Sequence, residues 1–116
     1  MRDISKLEGR ELDAAVAEAR GWVWEPICGV TAPGWRLPDG TKRGGLSFRP
    51  HCTIAAAWEL VEEMRAMDAM EVYVSNQLEW DCYCTRPVGT EAYARGPTAP
   101  IAICRCYLKL KAKASD

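Results

Sequence analysis

The first periodic stretch of the chain is helical. Leu12, Ala15, Val16 and Ala19 recur at three- and four-residue intervals, Glu8, Glu11 and Asp13 load the first turns with acid, and Gly21 ends the run. At Trp22 the period changes, and Trp22 to Cys28 reads as a short extended segment that Pro26 confines to a sheet edge or end. Between residues 29 and 52, five glycines with Pro33, Pro38 and Pro50 predict loops and a tight turn at Pro38-Asp39-Gly40. Trp35 to Leu37 can pair with the residues just after that turn.

A second helix is expected from about Thr53 to Ala66, capped by Cys52 or Thr53, with Ile54, Trp58, Val61 and Met64 or Arg65 along one stripe. This places Trp58 in the core and leaves Glu59, Glu62, Glu63 and Arg65 on a solvated face without chemistry. Two strand-like runs, 70–75 and 78–85, follow as an antiparallel hairpin. Alternation sets Trp80, Cys82 and Cys84 toward the helices and Asp81, Tyr83 and Thr85 on the opposite face. Residues 86–97, which include Arg86, Tyr93 and Arg95, read as a second long loop. Thr98 then caps a last helix with Pro100 in its first turn, apolar on nearly two faces and therefore the most buried of the three.

Composition narrows the class. The 116 residues suit one domain, 1–116, and 48% hydrophobic with 27% charged residues is the balance of a folding chain. Fifteen basic against sixteen acidic residues give a formal charge of -1, which does not hold a protein on long nucleic acid or an anionic membrane. The apolar runs are short and the amino terminus lacks a signal-peptide core, so a soluble cytosolic protein is expected. In that setting the six cysteines read as reduced, buried thiols rather than a disulfide scaffold.

The candidate chemistry is sparse. Cys82-Tyr83-Cys84 has the wrong spacing for a zinc knuckle, and Cys104 and Cys106 lie about 200° apart around a helix, so no metal is expected. His51, the one histidine, precedes Cys52 directly, a poor geometry for a nucleophile and its base. No nucleophile elbow appears, and Lys42-Arg43-Gly44-Gly45 lacks the phosphate-loop spacing and reads as a flexible loop. No catalytic residue and no cofactor are assigned. What exceeds expectation is a set of aromatic and arginine residues in or beside loops. Aromatic faces stack bases and arginine forks bind phosphates, so Trp24, Trp35, Arg43, His51, Tyr83, Arg86, Tyr93 and Arg95 are the candidate ligand-binding residues for a small nucleotide.

Three blocks spanning the chain, Gly9-Arg-Glu-Leu-Asp-Ala-Ala-Val-Ala-Glu18 leading to Gly21-Trp22, Ile54-Ala-Ala-Ala-Trp-Glu-Leu-Val-Glu62, and Pro97-Thr-Ala-Pro-Ile-Ala-Ile-Cys-Arg105, resemble the phage ABA sandwich domain family of small phage and prophage proteins. The resemblance implies a β-sheet lying between α-helices and a viral origin, hence the cytoplasm of an infected bacterial host; none of its blocks is a catalytic motif. The expected fold is α+β, an antiparallel β-sheet sandwiched with three α-helices in an α-β-α arrangement. Three helices are few for both faces of a sheet, so a homo-oligomer is expected.

The expected function is that of a phage accessory protein that binds a nucleotide-type ligand without catalysis and sequesters a bacterial immune signal. The alternatives are a phage protein that inhibits a host protein by direct contact, and an enzyme acting on a nucleotide.

Overall fold

The computed structural model describes residues 4–25, 33–44, 48–66, 71–76, 79–85 and 91–114. A 3-10 turn at Ile4–Lys6 leads into α1 (Gly9–Ala19), followed by three short strands, β1 (Val23–Glu25), β2 (Gly34–Arg36) and β3 (Lys42–Gly44). Helix α2 (Ile54–Ala66) precedes β4 (Glu71–Asn76), β5 (Trp80–Thr85) and β6 (Glu91–Gly96), and α3 (Ala99–Ala114) closes the order. The strands form two antiparallel meanders, β1-β2-β3 and β4-β5-β6. The whole is an α+β sandwich, as the patterning predicts.

Helix α1 ends where its sequence requires. Gly21 takes φ +85°, a left-handed conformation that costs a glycine little, and the following Trp22 N–H returns to the Ala17 carbonyl at 3.0 Å. The turn at Pro38-Asp39-Gly40 also forms: Gly40 donates to Leu37 O at 3.0 Å, and Asp39 accepts from Thr41 N–H at 2.9 Å. Strand β2 thereby returns as β3, with Trp35 opposite Arg43.

The larger sheet sorts its faces by alternation. Cys82, Cys84, Ala92 and Ala94 are buried beneath α3, which crosses β5 and β6, while α1 and α2 flank α3. Ala102 to Leu108 of α3 is buried without a break, so this is the most buried helix. Thr98 Oγ1 accepts the Ile101 N–H at 3.4 Å, the expected cap. Cys52, Cys82, Cys84, Cys104 and Cys106 are free thiols, and four of them pack in the core as small apolar groups; Cys28 lies outside the described residues.

Two expectations are corrected. Residues 91–96 are a strand rather than loop: Ala92, Ala94 and Gly96 alternate inward beneath α3, and their small side chains disguise the apolar face. Trp58 is 50% exposed and Ile54 56% exposed, so neither belongs to the core. The buried stripe of α2 is Ala57, Leu60, Val61 and Met64, joined by Ala56. Alanines at two of these positions let the helix approach its neighbours closely, and the bulkier Trp58 falls on the next sector of the helix.

Candidate functional site

A cleft of about 780 Å³ opens between α1 and the small sheet. Helix α1 contributes Arg10, Asp13, Ala14 and Glu18, one face of the helix; the sheet side contributes Trp24, Pro33, Trp35 and Gly44, and Phe48 and Arg49 complete the lining. Its volume falls within the range of small-molecule sites, and its walls are largely apolar with charges at a few points.

The register of β1 against β2 makes the aromatic wall. Trp24 stands opposite Trp35, with ring centroids 5.1 Å apart and planes at 69°. Trp35 is buried and anchored, whereas Trp24 is 44% exposed, which leaves it free to cover a ligand. Close pairing of β2 with β3 depends on Gly34, where an added Cβ would lie 2.6 Å from the Arg43 carbonyl oxygen.

Behind this wall, Trp22 packs on Phe48 at 4.5 Å, and Arg20 and Arg43 flank the pair, with guanidinium carbons 4.7 Å and 5.5 Å from the Trp22 ring centre. Arg43 also donates from both terminal nitrogens to Glu59, at 3.3 and 3.1 Å, which ties β3 to α2. The Lys42-Arg43-Gly44 segment is therefore a strand rather than a flexible loop, and Glu59 is an anchor rather than a solvated charge. Glu63 likewise faces Arg20 at 3.6 Å.

At the other end, Asp13 is buried on α1 and receives the His51 backbone N–H at 2.9 Å, with His51 Nδ1 2.7 Å from its second oxygen. This fixes the segment carrying Arg49. Arg10 and Arg49 are exposed at the cleft, and their side chains have no ion pair or hydrogen bond among the described residues. Beneath Asp13, burial pushes the Cys104 thiol far above its ordinary pKa and the Asp13 charge adds to the rise.

The structure thus divides the eight candidate residues. Trp24 and Trp35 line the cleft; Arg43 and His51 brace its two ends from outside the lining. Tyr83, Tyr93 and Arg95 belong to the outer face of the larger sheet. There Tyr83 donates to Glu91, Tyr93 donates to Asp81 at 3.0 Å, and Arg95 reaches both Tyr93 and Asp81. Arg86 lies outside the described residues.

Sequence reasoning missed Arg10, Asp13, Glu18 and Phe48 as members of the cleft. The available signal was Asp13, a carboxylate on the same buried face as Ala17, where an acid persists only with a partner. Among the described residues, no group of three metal-ligating side chains is gathered. No described helix is long and apolar enough to cross a membrane.

The fold is thus a small α+β sandwich with a largely apolar cleft between α1 and the small sheet. The chain belongs to the phage ABA sandwich domain family, whose model matches residues 21–106. It is also similar to the probable phosphoglycerate mutase GpmB of Salmonella arizonae, 32% identical over 92 residues, and to the protein of the same name from Klebsiella pneumoniae subsp. pneumoniae, 30% identical over 92 residues. Each match covers 79% of this chain, which spans 40% of the length of those relatives.

Proposed function

We propose that the cleft between α1 and the small sheet binds a small nucleotide-type ligand without transforming it, and that the protein serves a phage by withdrawing a signalling nucleotide of bacterial immunity from solution. The observation that carries this reading is the Trp24–Trp35 wall facing two exposed guanidiniums, Arg10 and Arg49, across a cleft of about 780 Å³. An aromatic platform takes the base and arginine forks take phosphates. The similar mutases are named for phosphoglycerate, itself a phosphate-bearing small molecule, which agrees with an anionic ligand. A homo-oligomer, covering the outer sheet face of Tyr83, Tyr93 and Arg95, is part of the proposal.

The test is to incubate the purified protein with filtrate of infected cells, wash, denature, and identify the released small molecules by mass spectrometry. A nucleotide returned unchanged supports sequestration. A modified product makes the protein an enzyme, and no released nucleotide favours inhibition of a host protein by contact. That second reading draws on Ile54 and Trp58, two large apolar side chains one turn apart on the exposed face of α2.

A further inference from the structure

Three cations converge where α3 meets β6, in a second cleft of about 290 Å³ that shares no lining residue with the first. Strand β6 lies at the end of its sheet, and the carbonyls of Tyr93 and Arg95, two residues apart, point to the same side of it. From α3, Arg105 Nη1 donates to Arg95 O at 2.9 Å, and Lys109 Nζ, one turn on, donates to Tyr93 O at 3.1 Å. Arg105 is buried, and its Nε and Nη2 both donate to Leu7 O, at 3.1 and 2.9 Å. Arg95 is held through Nε alone, by the Tyr93 hydroxyl at 2.7 Å and Asp81 Oδ1 at 3.1 Å.

These bonds position the cations without using all their donors. Both terminal nitrogens of Arg95, one N–H on each terminal nitrogen of Arg105 and two hydrogens of Lys109 have no partner among the described residues. The lining holds Arg95, Arg105 and Lys109 against one acid, Glu79, in a chain whose formal charge is -1. Backbone carbonyls fix Arg105 and Lys109 without neutralising them, so binding an anion would order little further.

We propose that this cleft is a binding site for a small tetrahedral oxyanion of the phosphate class. It is too small for a nucleotide, just below the usual range of small-molecule pockets, yet it presents a fixed fork and a point charge to a tetrahedral dianion. The site is independent of the nucleotide reading of the first cleft.

The experiment is titration of isotope-labelled full-length protein with inorganic phosphate at pH 7.5, ionic strength held constant with sodium chloride, following the amide resonances of Ala94, Arg95 and Lys109. Saturable shifts are expected, with a midpoint of about a millimolar. Arg95→Gln with Lys109→Gln should weaken binding by about tenfold or more; the glutamine at 109 keeps a donor near Tyr93 O, and Arg105, which holds Leu7, is left in place. Glu79→Gln should tighten binding, and Trp24→Ala should leave it unchanged. Shifts that grow linearly without saturating, that chloride alone reproduces, or that persist in the folded double variant would overturn the proposal.

Discussion

One carboxylate, Asp13 on α1, accepts the backbone N–H of His51 at 2.9 Å and lies 2.7 Å from its ring Nδ1, across 38 residues of chain. The pair holds the segment that carries Arg49 to the lip of the cleft. Asp13→Ala leaves that N–H without its partner and should cost about 1 to 3 kcal/mol. Asp13→Asn keeps an acceptor for the N–H and should cost less. Urea denaturation of the two variants checks the ranking, and equal losses would show that the acceptor kept for the His51 N–H contributes nothing to stability.

Trp24 and Trp35 share an edge contact but differ in burial, so their truncations should separate. Trp35→Ala should destabilise the fold by about 3 to 5 kcal/mol, as for a large aromatic in a core. Trp24→Ala should lose only about 1 kcal/mol, the scale of one aromatic pair, yet abolish nucleotide binding in calorimetry. Retained binding in Trp24→Ala would remove the main support for the first cleft as the ligand site.

On α2 the ranking runs against side-chain size. Trp58→Ala should change stability by no more than about 0.5 to 1 kcal/mol, because half its surface already meets solvent. Leu60→Ala should cost about 2 to 5 kcal/mol. Thermal melts of the two variants decide whether the helix is rotated as described.

Alkaline pH should weaken the protein. Burial pushes the Cys104 thiol and the Tyr107 hydroxyl far above their ordinary values; at Tyr107 the neighbouring Glu63 carboxylate adds to the rise. Below the unfolded pKa values, about 8.5 for a thiol and 10 for a phenol, both groups are protonated in either state and stability is undiminished. Above them the unfolded chain releases protons that the folded one keeps, so stability falls by up to about 1.4 kcal/mol per pH unit per group until the raised folded values are reached. Denaturant midpoints in reducing buffer from pH 8 to 11 should decline. Tyr107→Phe should flatten the upper part of that decline and change stability little at neutral pH, since among the described residues the buried Tyr107 hydroxyl has only the Glu63 carboxylate near it and no partner at full hydrogen-bond geometry.

The helices were legible because each carries its own stop signs and an apolar period. Gly21, Thr98 and the apolar positions of 101–110, interrupted only by Arg105 and Lys109, act within a few residues, and local physics decides them. The Pro38-Asp39-Gly40 turn and the inward set of Cys82 and Cys84 were legible for the same reason. β6 was not: Ala92 and Ala94 are apolar only in relation to α3, which must lie above them before their alternation has meaning.

The site was half legible. The residue types that suit a nucleotide can be read along the chain, and Trp24 and Trp35, neighbours across one strand pair, do meet. Tertiary structure alone decided that Tyr93 and Arg95 stand on the outer face of the other sheet, that Arg43 is occupied by Glu59, and that Arg10 and Arg49 share one cleft. A charged side chain has the same sequence signature whether it meets solvent, a carboxylate or a buried carbonyl. Which of these it finds depends on elements far away in the chain, as Arg105 finds Leu7 and Asp13 finds His51. Local periodicity and turn chemistry set the helices, the turn and the class of the fold; packing between distant elements set which of its charges are paired.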